Sequence, residues 1–207
     1  MKKFILVLTA IALIFSLTSQ GQTKQREVGL VFNSLNNFGL TFRTGTEKGL
    51  WRFNTLYLSA GNTIEKSDKT ETTTTNNGIE VKFGREWRKN ITGNLEFRIG
   101  ADISFYYNYM KADIDDKTST DADVIRRATT YTPGINLVLG FNYVILKNFV
   151  IGVEMMPNFR YTTGTSTEKF IYSNNPVEEK STISGIGYGI SNSSVMLNLL
   201  YRFEKKK

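Results

Sequence analysis

From Arg26 onward, apolar residues alternate with polar or small ones over most of the chain, the period-two signature of strands with one greasy and one polar face. In residues 78–88 one face reads Ile79, Val81, Phe83, Trp87 and the other Glu80, Lys82, Gly84, Glu86, Arg88, with Arg85 the one exception on the apolar row. Over 95–110 the apolar row runs Leu95, Phe97, Ile99, Ala101, Ile103, Phe105, Tyr107, Tyr109. Opposite it stand Glu96, Arg98, Gly100, Asp102, Ser104, Tyr106 and Asn108. Near the end Val195, Leu197, Leu199, Tyr201 and Phe203 alternate with Met196, Asn198, Leu200 and Arg202. Adding 27–34, 38–44, 50–61, 131–146 and 149–163 predicts eight strands, the last reaching back to about Ile183. In that last strand Ile186, Tyr188 and Ile190 put the apolar face on even positions, whereas Val195 puts it on odd ones, so a bulge is expected within 191–194.

The first 21 residues read as an address. Met1, Lys2 and Lys3 are a basic start, Phe4 to Leu17 is an apolar run, and Ser16, Ser19 and Gly21 are the small residues of a cleavage site. The run is shorter than the ~20 residues a spanning helix needs. Residues 1–21 are therefore expected to be a signal peptide and 22–207 one β-domain; a retained N-terminal anchor is the alternative. No later apolar run is long enough for a membrane helix, so membrane residence would depend on strands.

The orientation of the two faces decides the compartment. A membrane barrel turns its apolar row to lipid and encloses the polar one, whereas a secreted soluble barrel or sandwich does the reverse. Uninterrupted apolar rows ending in Phe and Tyr favour lipid. The polar rows carry complementary charge, Glu80, Glu86, Glu96, Asp102 and Glu154 against Lys82, Arg88, Arg98, Arg160 and Arg202, and are expected to neutralise one another across a lumen as a structural network. Connection lengths agree with a membrane barrel: 45–49, 88–90 and 146–148 are tight, while 62–77, 111–127 and 164–182 are long and polar. Pairing same-face residues predicts Phe32 opposite Leu40, Trp87 opposite Ile91 and Ile145 opposite Phe149. Asn37, Asn90 and Asn148 would then take left-handed backbone positions.

An N-terminal signal, eight amphipathic strands, alternating connections and a last strand ending in Phe203 together resemble the small outer-membrane β-barrel proteins of the OmpX and OmpA type. The resemblance implies an all-β fold, an eight-stranded antiparallel up-and-down transmembrane barrel in the bacterial outer membrane. It also implies a C-terminal assembly signal, Leu199, Tyr201 and Phe203, read by the barrel-assembly machinery. The family commonly ends on the aromatic, whereas here Glu204 and three lysines follow.

Composition narrows the chemistry. The 207-residue chain has no Cys and no His, which removes disulfides, thiolate sites, the usual general base and the commonest transition-metal ligand. Its formal charge of +7 is dispersed rather than gathered in a stripe, so no nucleic-acid partner is expected. Asp113, Asp115, Asp116, Asp121 and Asp123 lack the spacing of a calcium loop and read as a solvated segment, and Glu71 with the threonine and asparagine run 72–77 reads as a mobile polar tip. No metal, cofactor or catalytic residue is expected. Eight strands leave an interior just wide enough for side chains, and Arg98, Tyr106 and Arg160 would obstruct a pore. The expected function is a non-enzymatic scaffold or binding surface acting through outer loops and a protruding sheet edge, in contact with outer-membrane lipid and an envelope protein or external ligand. An accessory subunit of a secretion or transport complex and a lipid-modifying enzyme using Glu80, Glu86, Glu96 or Asp102 are the alternatives.

Overall fold

The computed structural model describes residues 24–34, 37–116, 123–171, 176–190 and 195–205. The signal-peptide segment and the whole of the expected 191–194 bulge lie outside the described residues, as do Leu35 and Asn36 of the first hairpin. Ten strand segments follow in chain order: β1 (Lys24–Ser34), β2 (Asn37–Thr46), β3 (Gly49–Lys66), β4 (Thr70–Thr92), β5 (Leu95–Asp116), β6 (Asp123–Ile145), β7 (Phe149–Met155), β8 (Asn158–Ile171), β9 (Pro176–Gly189) and β10 (Val195–Lys205).

All pairings are antiparallel, and β1 closes the sheet on β10 with Lys24 opposite Lys205 and Phe32 opposite Leu197. The segments β7 and β8 share the neighbour β6, and the Leu137 N–H donates to the Pro157 carbonyl at 2.9 Å, so they are one strand interrupted at Met156 and Pro157. Segments β9 and β10 are likewise the two halves of the last strand, which makes a ring of eight. Across their break, Gly189 pairs with Asn158 and Val195 with Met155. Five residues on one side answer to two on the other. The odd offset of three exchanges the faces, which is why Tyr188 and Val195 both point outward.

Connections are shorter and strands longer than composition suggested. The polar stretches 62–77, 111–127 and 164–182 are largely ladder: Thr72 pairs with Glu65 on one side and Ile114 on the other, and Asp113 with Thr73 and Ile125. β-Branched threonines flanked on both sides satisfy their backbone groups in the sheet, so the run is strand rather than a mobile tip. The expected turn at 88–90 is also corrected. Strand β4 continues to Thr92, Trp87 pairs with Ile99, and the reversal falls at Gly93, whose φ of 49° needs no Cβ relief. Phe32 meets Phe38 rather than Leu40, which pairs with Leu30.

Ile145 does face Phe149, but in that hairpin the left-handed residues are Leu146 (φ 50°) and Lys147 (φ 70°), not Asn148. Two successive left-handed residues curl the chain in the sense of the strand twist. Asn148 instead ties the turn to the last strand, its side-chain amide donating to the Arg202 carbonyl at 2.7 Å. Because a side chain in this backbone region costs ~1 kcal/mol or more, replacing Leu146-Lys147 by Asn-Gly is expected to stabilise the barrel by about 1 kcal/mol. A urea midpoint that does not rise would refute this.

The ring is lopsided. Strands β4 and β6 are 23 residues long, against the ~9–11 a tilted strand needs to cross a membrane. Strands β1 and β2, at 11 and 10 residues, barely suffice. Above the β1–β2 hairpin the upper part of β3, with β4, β5, β6, β8 and β9, therefore rises as an open sheet.

Candidate functional site: a closed, charged lumen

Alternation sends the polar row of every strand into the ring, and there ten ionised side chains interlock. Arg52 donates to both Glu154 oxygens at 2.9 and 3.1 Å and to Glu86 at 3.1 Å, and its Nε lies 3.2 Å from Asp102. Arg98 bridges the same two glutamates, 3.1 Å from each. Arg43 lies 3.6 to 3.8 Å from Glu27, Glu86 and Glu154 and donates to the Asn198 side chain at 2.9 Å. Lower down, Arg88 donates in a fork to Glu27 at 2.7 and 2.6 Å and also contacts Glu86. Arg202 forks onto Glu96 at 2.7 Å and reaches Glu27 at 2.8 Å. Five carboxylates and five guanidiniums thus balance. Planar forks matched to carboxylates account for arginine at all five positive positions.

Nearer the outer end Glu80 lies 3.1 Å from Arg160 and 3.6 Å from Lys82. Val31, Val138, Met156 and Met196 pack together as a buried apolar cluster, with Met196 beside Glu154 in the β7–β10 ladder. Arg43, Arg52, Arg98, Glu27, Glu86 and Glu154 are buried to the point of essentially no solvent contact. Among the described residues these side chains fill the lumen at this level.

All ten residues nominated from the sequence, Glu80, Lys82, Glu86, Arg88, Glu96, Arg98, Asp102, Glu154, Arg160 and Arg202, lie on the interior face. Sequence reasoning missed Glu27, Arg43 and Arg52, although Arg52 holds the centre. The signal is present in the alternation of Arg43 with Phe42 and of Arg52 with Trp51 and Phe53. Glycines make the arrangement possible: a Cβ on Gly84 would lie 2.1 Å from the Ala101 carbonyl oxygen. Strands β4 and β5 curl together there only because that atom is missing.

The outer wall is the complement. Leu40, Ile103, Ile135, Leu137 and Val153 are among its exposed apolar residues, and Leu199, Tyr201 and Phe203 lie on the same wall. Near the short turns lie Phe97 against Phe141 at 5.4 Å and Tyr201 against Phe203 at 4.7 Å; Tyr107 against Tyr131 at 5.5 Å marks the opposite level. From Phe97 to Tyr107 the strand runs ~33 Å, which a tilt of ~40° turns into about 25 Å along the axis, the height of a barrel's lipid-facing band.

A family model described as "Putative OmpA-OmpF-like porin family" matches residues 56–171. The chain belongs to that family. It is a bacterial outer-membrane β-barrel, so the end bearing the short turns is periplasmic and the open sheet stands outside. No curated protein matches the chain. Among solved structures, a major outer membrane protein from Thermus thermophilus is similar in fold, with a TM-score of 0.53 at 10% identity over 87% of this chain and 99% of that one. Ail, the attachment invasion locus protein of Yersinia pestis, matches at TM-score 0.35 and 15% identity over 89% and 100% of the two chains. Acinetobacter baumannii CarO matches at 0.30 and 12% over 87% and 96%.

Proposed function

We propose that this outer-membrane barrel is a non-enzymatic envelope scaffold whose external sheet is a binding surface for an extended segment of a protein partner. The observation that carries the reading is the edge of β9. Among the described residues, Pro176–Gly189 pairs with β8 alone, and on the opposite side Leu58–Lys66 of β3 pairs with β4 alone. A free edge presents a row of unpaired N–H and C=O groups that a further strand can occupy. Pro176, Glu178, Glu179 and Lys180 blunt the distal part of β9 against indiscriminate pairing, whereas 181–189 carries no charge. Supporting the non-enzymatic part, the interior carboxylates are engaged by guanidinium or ammonium groups instead of facing a cleft. Insertion by the barrel-assembly machinery through Leu199, Tyr201 and Phe203 belongs to the same proposal.

The test places a photo-crosslinking residue at Ser181 or Thr182 in intact cells and, as control, at Thr130, which pairs on both sides. A protein captured from the β9 positions alone, together with slowed amide exchange of 181–189 in the purified complex, is the expected result. Equal capture from Thr130, or unchanged exchange, would refute edge pairing. The closed lumen is checked separately in planar bilayers, where no steady ion conductance is expected; sustained conductance would make the protein a pore.

A further inference from the structure

Arg85 is a cation set between Phe83 and Trp87 on the apolar row of β4, with Lys89 following at the end of that row, and the lumen network makes no use of it. It points outward, on the row Phe83, Arg85, Trp87, Lys89, and pairs across the sheet with Trp51. Its guanidinium carbon lies 5.1 Å from the centre of the Trp51 ring and 5.8 Å from that of Trp87. Trp51 is itself stacked on Phe83 at 5.4 Å with the rings 6° apart. The fork lies across Gly49, where a Cβ would come 3.6 Å from both Arg85 Nη2 and Trp87 Cδ1, so a bare backbone floor and two indoles hold the cation in place. Its Nε is buried without a hydrogen-bond partner, and no described carboxylate is within ion-pair distance.

The level of this box is the periplasmic edge of the lipid band. Trp51 stands just above the turn at Glu47 and Lys48, and the Arg88 N–H donates to the Lys48 carbonyl at 3.0 Å. A cation on a lipid-facing wall is tolerated close to the interface and costly at the midplane. What meets it there is the headgroup layer, whose fixed anion is a phosphate. We propose that Trp51, Arg85 and Trp87 form a binding site on the outer wall for the headgroup phosphate of an anionic phospholipid in the periplasmic leaflet. The guanidinium supplies two N–H groups in one plane for phosphate oxygens, and the indoles fix that plane and pack on the glycerol and first methylenes.

The chain has two tryptophans, and both are in the box, so intrinsic fluorescence reports on this site alone. The barrel is reconstituted in phosphatidylcholine vesicles doped at equal mole fraction with brominated phosphatidylglycerol or brominated phosphatidylcholine, and quenching is compared. Wild type is expected to prefer the anionic lipid by about three- to fivefold. That ratio should fall close to unity in Arg85→Gln and stay unchanged in Lys147→Gln, which removes a cation elsewhere on the same rim. Should R85Q fail to insert, R85K keeps the charge without the stacked fork and is expected to lower the ratio about twofold. Equal quenching of wild type by both lipids overturns the proposal, as does a ratio indifferent to the Arg85 variant. An equal loss in K147Q would reduce the effect to diffuse charge and also overturns it. Protection of the tryptophans from both lipids together with a crosslinked dimer would assign the box to contact between copies instead.

Discussion

Replacing Glu154 by glutamine is expected to lower the unfolding free energy of the barrel by about 3–5 kcal/mol, the cost of removing one member of a buried ionic group. Glu154 takes both fork hydrogens of Arg52, lies 3.1 Å from Arg98 and 3.7 Å from Arg43, and has no solvent contact. Its neutral isostere fills the same space but leaves Arg43, Arg52 and Arg98 with Glu86 as their one shared carboxylate in a site without solvent contact. Urea unfolding from lipid vesicles, followed by Trp51 and Trp87 fluorescence, gives the number. The double variant R52Q/E154Q should recover part of the loss, because the most strongly coupled cation leaves with its anion. By contrast the Lys66–Glu71 pair, 3.0 Å apart on the exposed sheet with Lys66 at 64% exposure, should contribute less than about 1 kcal/mol. A Glu154 effect no larger than that of the surface pair would show that the lumen is hydrated and its charges independently solvated.

Replacing Gly84 by valine is expected to prevent closure of the ring. The added Cβ would sit 2.1 Å from the Ala101 carbonyl oxygen and 2.2 Å from Asp102 Oδ1, so β4 and β5 would have to separate where they are paired on both flanks. Overpacking typically costs ~1–3 kcal/mol and occasionally more, and a backbone obstacle on a paired strand puts this case at the upper end. Here it also displaces Asp102 from Arg52. The readout is the heat-modifiable band that folded barrels give on gels. The same substitution at Gly61, where a Cβ meets nothing within 4 Å, should leave the band intact. A folded G84V barrel would mean that the sheet can flatten there without losing closure.

Much of this was legible because each strand keeps a single period. The alternation of Glu80, Lys82, Glu86 and Arg88 with Ile79, Phe83 and Trp87 leaves one way to face lipid with one side and a lumen with the other. Legibility failed where the pattern weakens. The threonines of 72–75 have no apolar face, so nothing in their own period says strand; pairing with Glu65 and Ile114 on neighbouring strands makes them one. The reversal assigned to Asn90 belongs to Gly93 because hairpin position depends on the register of long partners, which are fixed along their whole length by many pairs at once. Leu146 and Lys147 were missed for the opposite reason: neither residue favours a left-handed backbone, and the twist of the flanking strands imposes it.

By itself, then, the sequence determined the class of fold, the inward and outward rows, and the signs of the charges that would meet inside, since all three follow from a period of two and from the chemistry of each row. Only the tertiary structure decided which charges meet. Strand stagger and barrel closure bring Arg52 of β3 onto Glu154 of β7, 102 residues apart in the chain, and no local pattern carries that distance. The free edge of β9 and the seating of Arg85 between Trp51 and Trp87 are products of the same closure. Each depends on how far one strand has slid past another, a quantity set by the ring as a whole.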